Sequence, residues 1–168
     1  MLWHPAYVGL GSNLDEPTRQ LRRAFAALAA LPDTRVVRGS SLYGSTPMGP
    51  VAQPDYVNAV AGLLTQLEAV EFFAQLRALE RELGRIAPRE RWGPRRIDLD
   101  LLMFGQLRLE APDLQLPHPG IAARNFVLYP LHEVAPELTV PGCGRVAELR
   151  ARVGSEGIWR LDSQVQLQ

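Results

Sequence analysis

An alternation of apolar and acidic side chains opens the segment 97-IDLDLLMF-104, which then becomes continuously apolar. This pattern predicts a β-strand at Ile97–Phe104. On such a strand Asp98 and Asp100 project from one face, about 6–7 Å apart along it. The two carboxylates either hold metal ions or both face solvent, and their spacing alone is compatible with both interpretations.

Two helices and three further strands are predicted before this segment. Short runs rich in apolar side chains indicate strands at Ala6–Leu10, Arg35–Tyr43 and Tyr56–Leu64. Asp15 is expected to cap the first helix, with Pro17 in its first turn, because these residue types are typical of helix starts.

The second helix is expected between Glu68 and Gly84. Negative charge favours a helix start, and glycine favours a helix end. The spacing of apolar residues predicts a buried stripe at Val70, Phe73, Leu76, Leu79 and Leu83.

The predicted order is strand, helix, strand, strand, helix, strand. This order is typical of the ferredoxin-like βαββαβ class of α+β folds, with an antiparallel sheet packed against helices. Loops are expected at Gly44–Pro54 and Arg85–Arg95. A short strand at Leu107–Leu109, followed by short helices, predicts a C-terminal extension on the sheet's edge or open face. We expect one domain over residues 1–168, with no second enzyme fused to it.

Composition excludes several kinds of chemistry. All 18 basic residues are arginine, so the chain has no P-loop lysine, Schiff-base lysine or lysine general base. Cys143 is the single cysteine, which excludes an internal disulfide and multi-cysteine metal sites. A formal net charge of zero argues against non-specific binding to duplex DNA. The sequence shows no signal-peptide pattern and no long apolar run, so we expect a cytoplasmic protein without a membrane partner.

The densest charge lies in Arg77–Arg96, which contains seven arginines and three glutamates. Asp98 and Asp100 follow at once. Arginine forks bind phosphate oxygens, and carboxylates hold Mg²⁺ that also takes oxygen ligands from phosphates. The segment therefore predicts a site where a polyanion and divalent cations meet. Trp92 lies inside this basic segment and has no evident core to fill.

Two other features are less specific. Residues Gly9–Asn13 begin like a dinucleotide-binding loop, but the third glycine is missing. A tight turn in which Asn13 bonds to the backbone is the better interpretation. His118 lies in a proline-rich loop, where a lone histidine is usually a surface residue.

Four blocks of sequence together resemble one enzyme family. They are, in chain order, 9-GLGSNL-14, 53-QPDYVNA-59, 91-RWGPRRIDLDLL-102 and 116-LPHP-119, the last leading to Arg124 and Phe126. The third block is the most specific, and the similarity extends from about Tyr7 to Leu138. In these blocks the chain resembles the 6-hydroxymethyl-7,8-dihydropterin pyrophosphokinases of folate biosynthesis.

The resemblance implies a diphosphotransferase that depends on ATP and Mg²⁺. The pterin hydroxyl would attack the β-phosphorus of ATP, giving AMP and the pterin diphosphate, with two Mg²⁺ ions along the triphosphate. Asp98 is one candidate acceptor for the hydroxyl proton, and ionisation assisted by Mg²⁺ is the other. Small molecules are the expected partners of a monomer that binds no nucleic acid.

The resemblance also implies roles for individual residues. The metal ligands would be Asp98 and Asp100. A catalytic role is implied for these two aspartates and for Arg85 and Arg95. Contacts with ATP are implied for Arg77, Glu80, Arg91, Trp92, Arg95, His118 and Arg124.

For the pterin, the resemblance implies an aromatic sandwich between Tyr56 and Phe126. Asn58 would bind the edge of the ring. The backbone at Ser45, Thr46 and Met48 would complete the pocket. A flat heterocycle with polar edges suits two aromatic faces and one amide.

Two other classes of function remain open. An RNA-binding module on a ferredoxin-like fold would stack bases on exposed aromatic side chains of the sheet. A nucleotide-binding regulator would bind ATP without catalysis. The presence of both aspartates and both catalytic-loop arginines favours the enzyme.

Overall fold

The structure is a computed structural model that describes residues 2–84 and 96–164. The elements in chain order are β1 (His4–Ser12), α1 (Pro17–Ala29), β2 (Thr34–Gly39), β3 (Ser41–Ser45), β4 (Tyr56–Thr65), α2 (Ala69–Glu82), β5 (Asp98–Phe104), β6 (Leu109–Glu110), β7 (Gln115–Leu116), a 3₁₀ turn (Ile121–Ala123), α3 (Asn125–Val134), β8 (Thr139–Val140), β9 (Gly144–Arg145), α4 (Val146–Val153) and β10 (Ile158–Gln164).

Six strands form one antiparallel sheet, in the order β10-β3-β4-β1-β5, with β2 also paired to β4. The first strand, β1, is therefore an interior strand, between β4 and the edge strand β5. This arrangement confirms the predicted ferredoxin-like α+β fold.

The predicted single strand Arg35–Tyr43 is wrong, because the chain breaks its ladder at Ser40. The Ser40 hydroxyl accepts a hydrogen bond from the Val60 N–H at 2.9 Å and donates to the Ser41 carbonyl at 2.8 Å. A side chain thus takes the place of a main-chain partner, and β2 and β3 pair separately with β4. The third strand continues to Ser45, so the predicted loop Gly44–Pro54 begins later than expected.

The predicted cap of α1 is also wrong. Asp15 and Glu16 both have positive φ, and the residue at the cap position, Glu16, makes no side-chain hydrogen bond to the helix. An N-cap side chain normally requires an extended backbone. The Asp15 carboxylate instead accepts a hydrogen bond from Arg96 Nε at 2.8 Å.

The predicted buried stripe of α2 is partly wrong, because the helix buries a different set of residues. Val70 is 65% exposed, whereas the buried residues of the helix are Ala69, Phe72, Leu76, Leu79 and Glu80. The helix is rotated so that a carboxylate faces the sheet, because Glu80 bonds to the backbone of β5. The predicted end of the helix is confirmed, since Gly84 follows it with a φ of 105°.

Helices cover both faces of the sheet. The first core contains buried side chains of α1, α2 and one face of the sheet. The second contains buried side chains of α3, α4 and the opposite face. The C-terminal extension occupies both predicted places, because β10 pairs with the edge strand β3 while α3 packs on the open face.

The short strand predicted at Leu107–Leu109 is shifted, since β6 begins at Leu109 and pairs with β7. In residues 2–84 and 96–164, no helix combines the length and apolar character that crossing a membrane requires.

Candidate functional site

Three neighbouring strands bring an amide, a glycine and a carboxylate into one row. The register pairs Gly11 of β1 with Asn58 of β4 on one side and with Asp98 of β5 on the other. A Cβ atom at Gly11 would lie 3.3 Å from Asn58 Oδ1. The central strand therefore leaves open floor between the two side chains, whose Cα atoms are separated by two strand spacings, or about 10 Å.

A cavity of about 290 Å³ lies over this floor. Its lining includes many residues predicted from sequence to bind pterin, ATP or metal. These are Ser45, Thr46, Met48, Tyr56, Asn58, Asp98, Asp100, His118, Arg124 and Phe126. The structure thus places residues from three strands, two loops and the start of α3 around one space.

Two other candidate residues within the described parts of the chain, Arg77 and Glu80, are not among those that line this cavity. Arg77 and Glu80 lie on α2, which packs on the opposite face of the sheet. Arg85, Arg91, Trp92 and Arg95 lie outside the described residues.

Arg77 and Glu80 hold the backbone of β5 between the two aspartates. Glu80 is 1% exposed and accepts a hydrogen bond from the Leu99 N–H at 2.9 Å. Arg77 Nη1 lies 3.0 Å from Glu80 Oε1, and Arg77 Nη2 donates to the Leu99 carbonyl. Because β5 is at the edge of the sheet, this pair takes the place of a neighbouring strand at the residue between Asp98 and Asp100.

The two aspartates form an electrostatically strained pair. Burial, and then the nearby charge of Asp98, raise the pKa of Asp100, while His118, Arg77 and Arg124 act in the opposite direction. A divalent cation would relieve both the desolvation and the repulsion, so this donor set fits Mg²⁺.

Protein ligands for such a cation are few. Over the described parts of the chain, no group of three or more His, Cys, Asp or Glu side chains is positioned to hold a metal ion. Mg²⁺ usually combines one or two carboxylates with oxygen atoms from phosphates and water. The aspartate pair is therefore suited to a cation that arrives with a phosphorylated ligand.

His118 lines the cavity with a defined ring tautomer. Its Nδ1 accepts a hydrogen bond from the Gly120 N–H at 3.0 Å, which leaves the ring proton on Nε2. Burial lowers the pKa of His118 despite the opposing charge of Asp100. A neutral ring with an Nε2–H is a donor for a ligand oxygen.

Asn58 has its amide oriented by β3. Its Nδ2 donates to Ser45 Oγ at 2.7 Å and lies 3.5 Å from the Tyr43 carbonyl. The donor side of the amide thus faces β3, and Oδ1 faces the gap at Gly11. The acceptor side is the one offered to a ligand, which suits a ring edge that carries N–H groups.

Gln53 was not predicted as a site residue, yet it lines the cavity. Asn13 Nδ2 donates to Gln53 Oε1 at 2.8 Å and to the Pro54 carbonyl at 2.9 Å. The second bond is to a backbone group, as predicted, although that group lies 41 residues away and not in the turn after β1. Asn13 lies in the block 9-GLGSNL-14 and Gln53 lies in the block 53-QPDYVNA-59. Their place in these two blocks was the feature of the sequence that could have indicated that both belong to the site.

Comparison with known proteins places the chain among pterin-processing enzymes. Residues 7–136 match the family model described as 7,8-dihydro-6-hydroxymethylpterin-pyrophosphokinase (HPPK). A Pseudomonas aeruginosa protein named 2-amino-4-hydroxy-6-hydroxymethyldihydropteridine pyrophosphokinase is 48% identical over 155 residues, covering 92% of this chain and 95% of the relative. A Haemophilus influenzae protein of the same name is 43% identical over 144 residues, covering 86% and 89%.

Solved structures support the fold. A structure described as HPPK-DHPS in complex with substrates superposes with a TM-score of 0.74 at 10% identity, over 94% of this chain and 46% of that one. A Plasmodium falciparum HPPK-DHPS structure gives 0.71 at 13% identity, over 95% and 49%. This chain spans about half the length of those structures.

Proposed function

Because the chain belongs to the 7,8-dihydro-6-hydroxymethylpterin-pyrophosphokinase family, it transfers the pyrophosphoryl group of ATP to 6-hydroxymethyl-7,8-dihydropterin in folate biosynthesis, and we propose that the cavity over Gly11 is where it does so. The observation that carries this assignment is the row across the sheet. It sets an amide suited to a heterocycle edge about two strand spacings from a carboxylate suited to Mg²⁺.

The β4 side of the cavity binds the pterin in this proposal. Asn58 offers Oδ1 to the N–H groups of the ring edge, and Tyr56 and Phe126 supply aromatic faces. The backbone at Ser45, Thr46 and Met48 closes this side. Gly11 leaves the space that the ring occupies.

The β5 side binds the triphosphate. His118 Nε2–H and the Arg124 guanidinium donate to phosphate oxygens. The arginines of segment 85–95 are proposed to make further contacts with the triphosphate. This proposal rests on the resemblance of that segment to the family. Arg77 and Glu80 remain proposed ATP contacts, although their observed bonds are to the backbone of β5.

Asp98 and Asp100 are proposed to hold two Mg²⁺ ions with the phosphate oxygens. When bound, Mg²⁺ neutralises charge on the triphosphate and on the leaving AMP. The residues of this chain then hold the pterin hydroxyl in position next to the β-phosphorus of ATP. The pterin hydroxyl oxygen forms a bond to the β-phosphorus, and the bond from that phosphorus to the AMP oxygen breaks, so that AMP leaves with that oxygen. The hydroxyl proton passes to the Asp98 carboxylate or, where Mg²⁺ assists its ionisation, to water.

An RNA-binding module needs an open sheet face on which bases can stack. Here α1 and α2 cover one face, and α3 and α4 pack on the other. We propose that the chain acts as one domain over residues 1–168, without nucleic acid or a membrane as a partner.

A ligand panel tests this function. Thermal unfolding is followed with MgATP, with 6-hydroxymethyl-7,8-dihydropterin plus a non-hydrolysable ATP analogue, and with single-stranded RNA. We expect the first two to raise the Tm and RNA to leave it unchanged, together with AMP formation that requires the pterin. AMP formation independent of pterin, or stabilisation by RNA alone, would contradict the proposal.

A further inference from the structure

The turn 154–157, between α4 and β10, contacts both sides of the proposed pterin site. On one side, the Gly157 carbonyl accepts a hydrogen bond from the Thr46 N–H at 3.0 Å. On the other, Asn125 Nδ2 donates to the Gly154 carbonyl at 3.2 Å and to the Glu156 carbonyl at 2.7 Å. Thr46 lines the cavity, and Asn125 directly precedes Phe126, which lines it as well. One turn is therefore bonded to two opposing walls.

The turn is itself fixed to the sheet. Ile158, the next residue, is paired with Ser45 in the β10–β3 ladder. Trp159 lies so closely over Gly44 that a Cβ atom there would be 2.2 Å from the indole ring. Because a glycine admits this approach, the start of β10 is held against the end of β3.

Both walls also border a second cavity. This smaller cavity, of about 220 Å³, lies between them, lined by Thr46, Phe126 and Gly157 among others. Glu156 and Gly157 of the turn line this space, as does Asn125, which donates to the Glu156 carbonyl. The turn therefore contributes to the spacing between the Thr46 wall and the Phe126 wall.

We propose that the turn 154–157 is a brace that sets the width of the pterin site, with Gly157 and Asn125 as positioning residues. The turn 154–157 lies beyond residue 136, where the family match ends, whereas Asn125 lies within that match. This inference rests on the proposed pterin site. A ring held between aromatic faces is sensitive to their separation, because dispersion contacts weaken steeply when a gap opens.

Gly157 permits a sharp test. Its φ is +73°, and a Cβ atom there would lie 2.8 Å from Thr46 Oγ1. Gly142, in the turn between β8 and β9, is a matched control with a φ of +74° and a Cβ position 2.8 Å from Arg108 Nη2. Gly157→Ala and Gly142→Ala impose similar backbone strain. The Arg108 guanidinium can move away from a Cβ atom at Gly142, whereas a Cβ atom at Gly157 presses on Thr46 in a wall of the site.

Dissociation constants for 6-hydroxymethyl-7,8-dihydropterin and for MgATP are measured on full-length variants, with Tm alongside. We expect Gly157→Ala to weaken pterin binding about tenfold and leave MgATP binding unchanged, whereas Gly142→Ala should lower the Tm through its backbone strain and leave both affinities unchanged. Adding Thr46→Ala, which removes the pressed hydroxyl, should restore most of the pterin affinity in a double-mutant cycle.

Asn125→Ala keeps the test valid if Gly157→Ala fails to fold. It removes both hydrogen bonds to the turn and should also weaken pterin binding selectively. Equal pterin affinities in wild type, Asn125→Ala and Gly157→Ala would overturn the brace. Asn58→Ala tests the proposed pterin site separately. If Asn58→Ala weakens pterin binding as expected while Asn125→Ala and Gly157→Ala do not, the brace is refuted and the proposed function is not.

Discussion

At the scale of single residues, the site depends on what each strand places beside Gly11. Asn58 and Asp98 are neighbours of the same glycine on opposite strands. Asn58 is held by Ser45 Oγ, whereas Asp100 sits with a raised pKa beside a second carboxylate. The Asn58 amide is hydrogen-bonded, whereas the Asp98–Asp100 pair is electrostatically unfavourable. The pterin side and the metal side of the site are therefore tested by separate experiments.

Replacing either Asp98 or Asp100 by alanine should abolish most turnover at saturating Mg²⁺. The same variants should be slightly more stable than the wild type in the absence of metal, because one repelling charge is removed. Turnover is measured across a Mg²⁺ titration, and Tm is measured in EDTA. Asp→Asn at each position is the matched control for side-chain volume, and near-normal turnover in either alanine variant would refute the metal assignment.

Asn58→Ala should weaken pterin binding by about 1–3 kcal/mol, because polar atoms of the bound ring lose their partner. MgATP affinity should change little. Calorimetric titration with each ligand separates these outcomes, and Ser45→Ala is the control that removes the amide's observed partner while keeping the amide. Equal weakening of both ligands would make Asn58 a structural residue.

At the scale of elements, the contact between α2 and β5 is the least expected feature of the site. The Arg77–Glu80 pair bonds both polar groups of Leu99, so an edge strand that carries two repelling carboxylates is fixed by a helix rather than by another strand. This contact also explains why α2 turns a carboxylate, and not Val70, toward the sheet.

Glu80→Ala and Glu80→Gln distinguish a strand-fixing role from an ATP contact. The alanine variant loses the acceptor for the Leu99 N–H, whereas glutamine keeps an oxygen there. We expect Glu80→Ala to lower kcat and raise the Mg²⁺ concentration needed for half-maximal rate, with substantial rescue in Glu80→Gln. A raised KM for ATP in both variants, with the Mg²⁺ requirement unchanged, would favour direct contact with the nucleotide.

The basic segment 85–95 remains a prediction from sequence. Its flanking residues are close together, since Arg96 Nη1 lies 3.5 Å from the Gly84 carbonyl and Arg96 also pairs with Asp15. We expect Arg85→Ala to lower kcat far more than it weakens ATP binding, the pattern of a contact made mainly in the transition state. Steady-state kinetics and equilibrium ATP binding test this, and a normal kcat would contradict it.

At the scale of the whole molecule, one sheet separates two cores, and α3 is tied to the sheet by a carboxylate. Glu133 accepts hydrogen bonds from the Ser41 N–H at 3.0 Å, from Ser41 Oγ at 2.8 Å and from the Tyr43 hydroxyl at 2.9 Å. Because α3 begins at Asn125 and carries Phe126, this tie joins a wall of the site to β3.

The tie predicts a loss of stability at high pH. Burial, and then the hydrogen bond to Glu133 and its charge, raise the pKa of Tyr43 from 10.0 to about 12. The folded state therefore favours the neutral phenol, a contribution that is complete below pH 10 and is lost as pH rises through about 12. The free energy of unfolding, from urea titrations across this range, should fall less steeply in Tyr43→Phe than in wild type. Identical slopes would contradict this role of Tyr43.

Local pattern was enough to determine several features of this protein. The alternation in 97-IDLDLLMF-104 placed Asp98 and Asp100 on one face of a strand, and the order of elements led to the ferredoxin-like class. Such features follow from short-range periodicity, which acts within a single element.

Tertiary structure alone decided how those elements meet. The register that sets Asn58 and Asp98 around Gly11, the rotation of α2 that buries Glu80, and the turn at Gly157 against Thr46 each join residues far apart in sequence. A helix can turn about its axis and a strand can shift along its neighbour with little change in local preference. Only the long-range partners, packed together, select one arrangement.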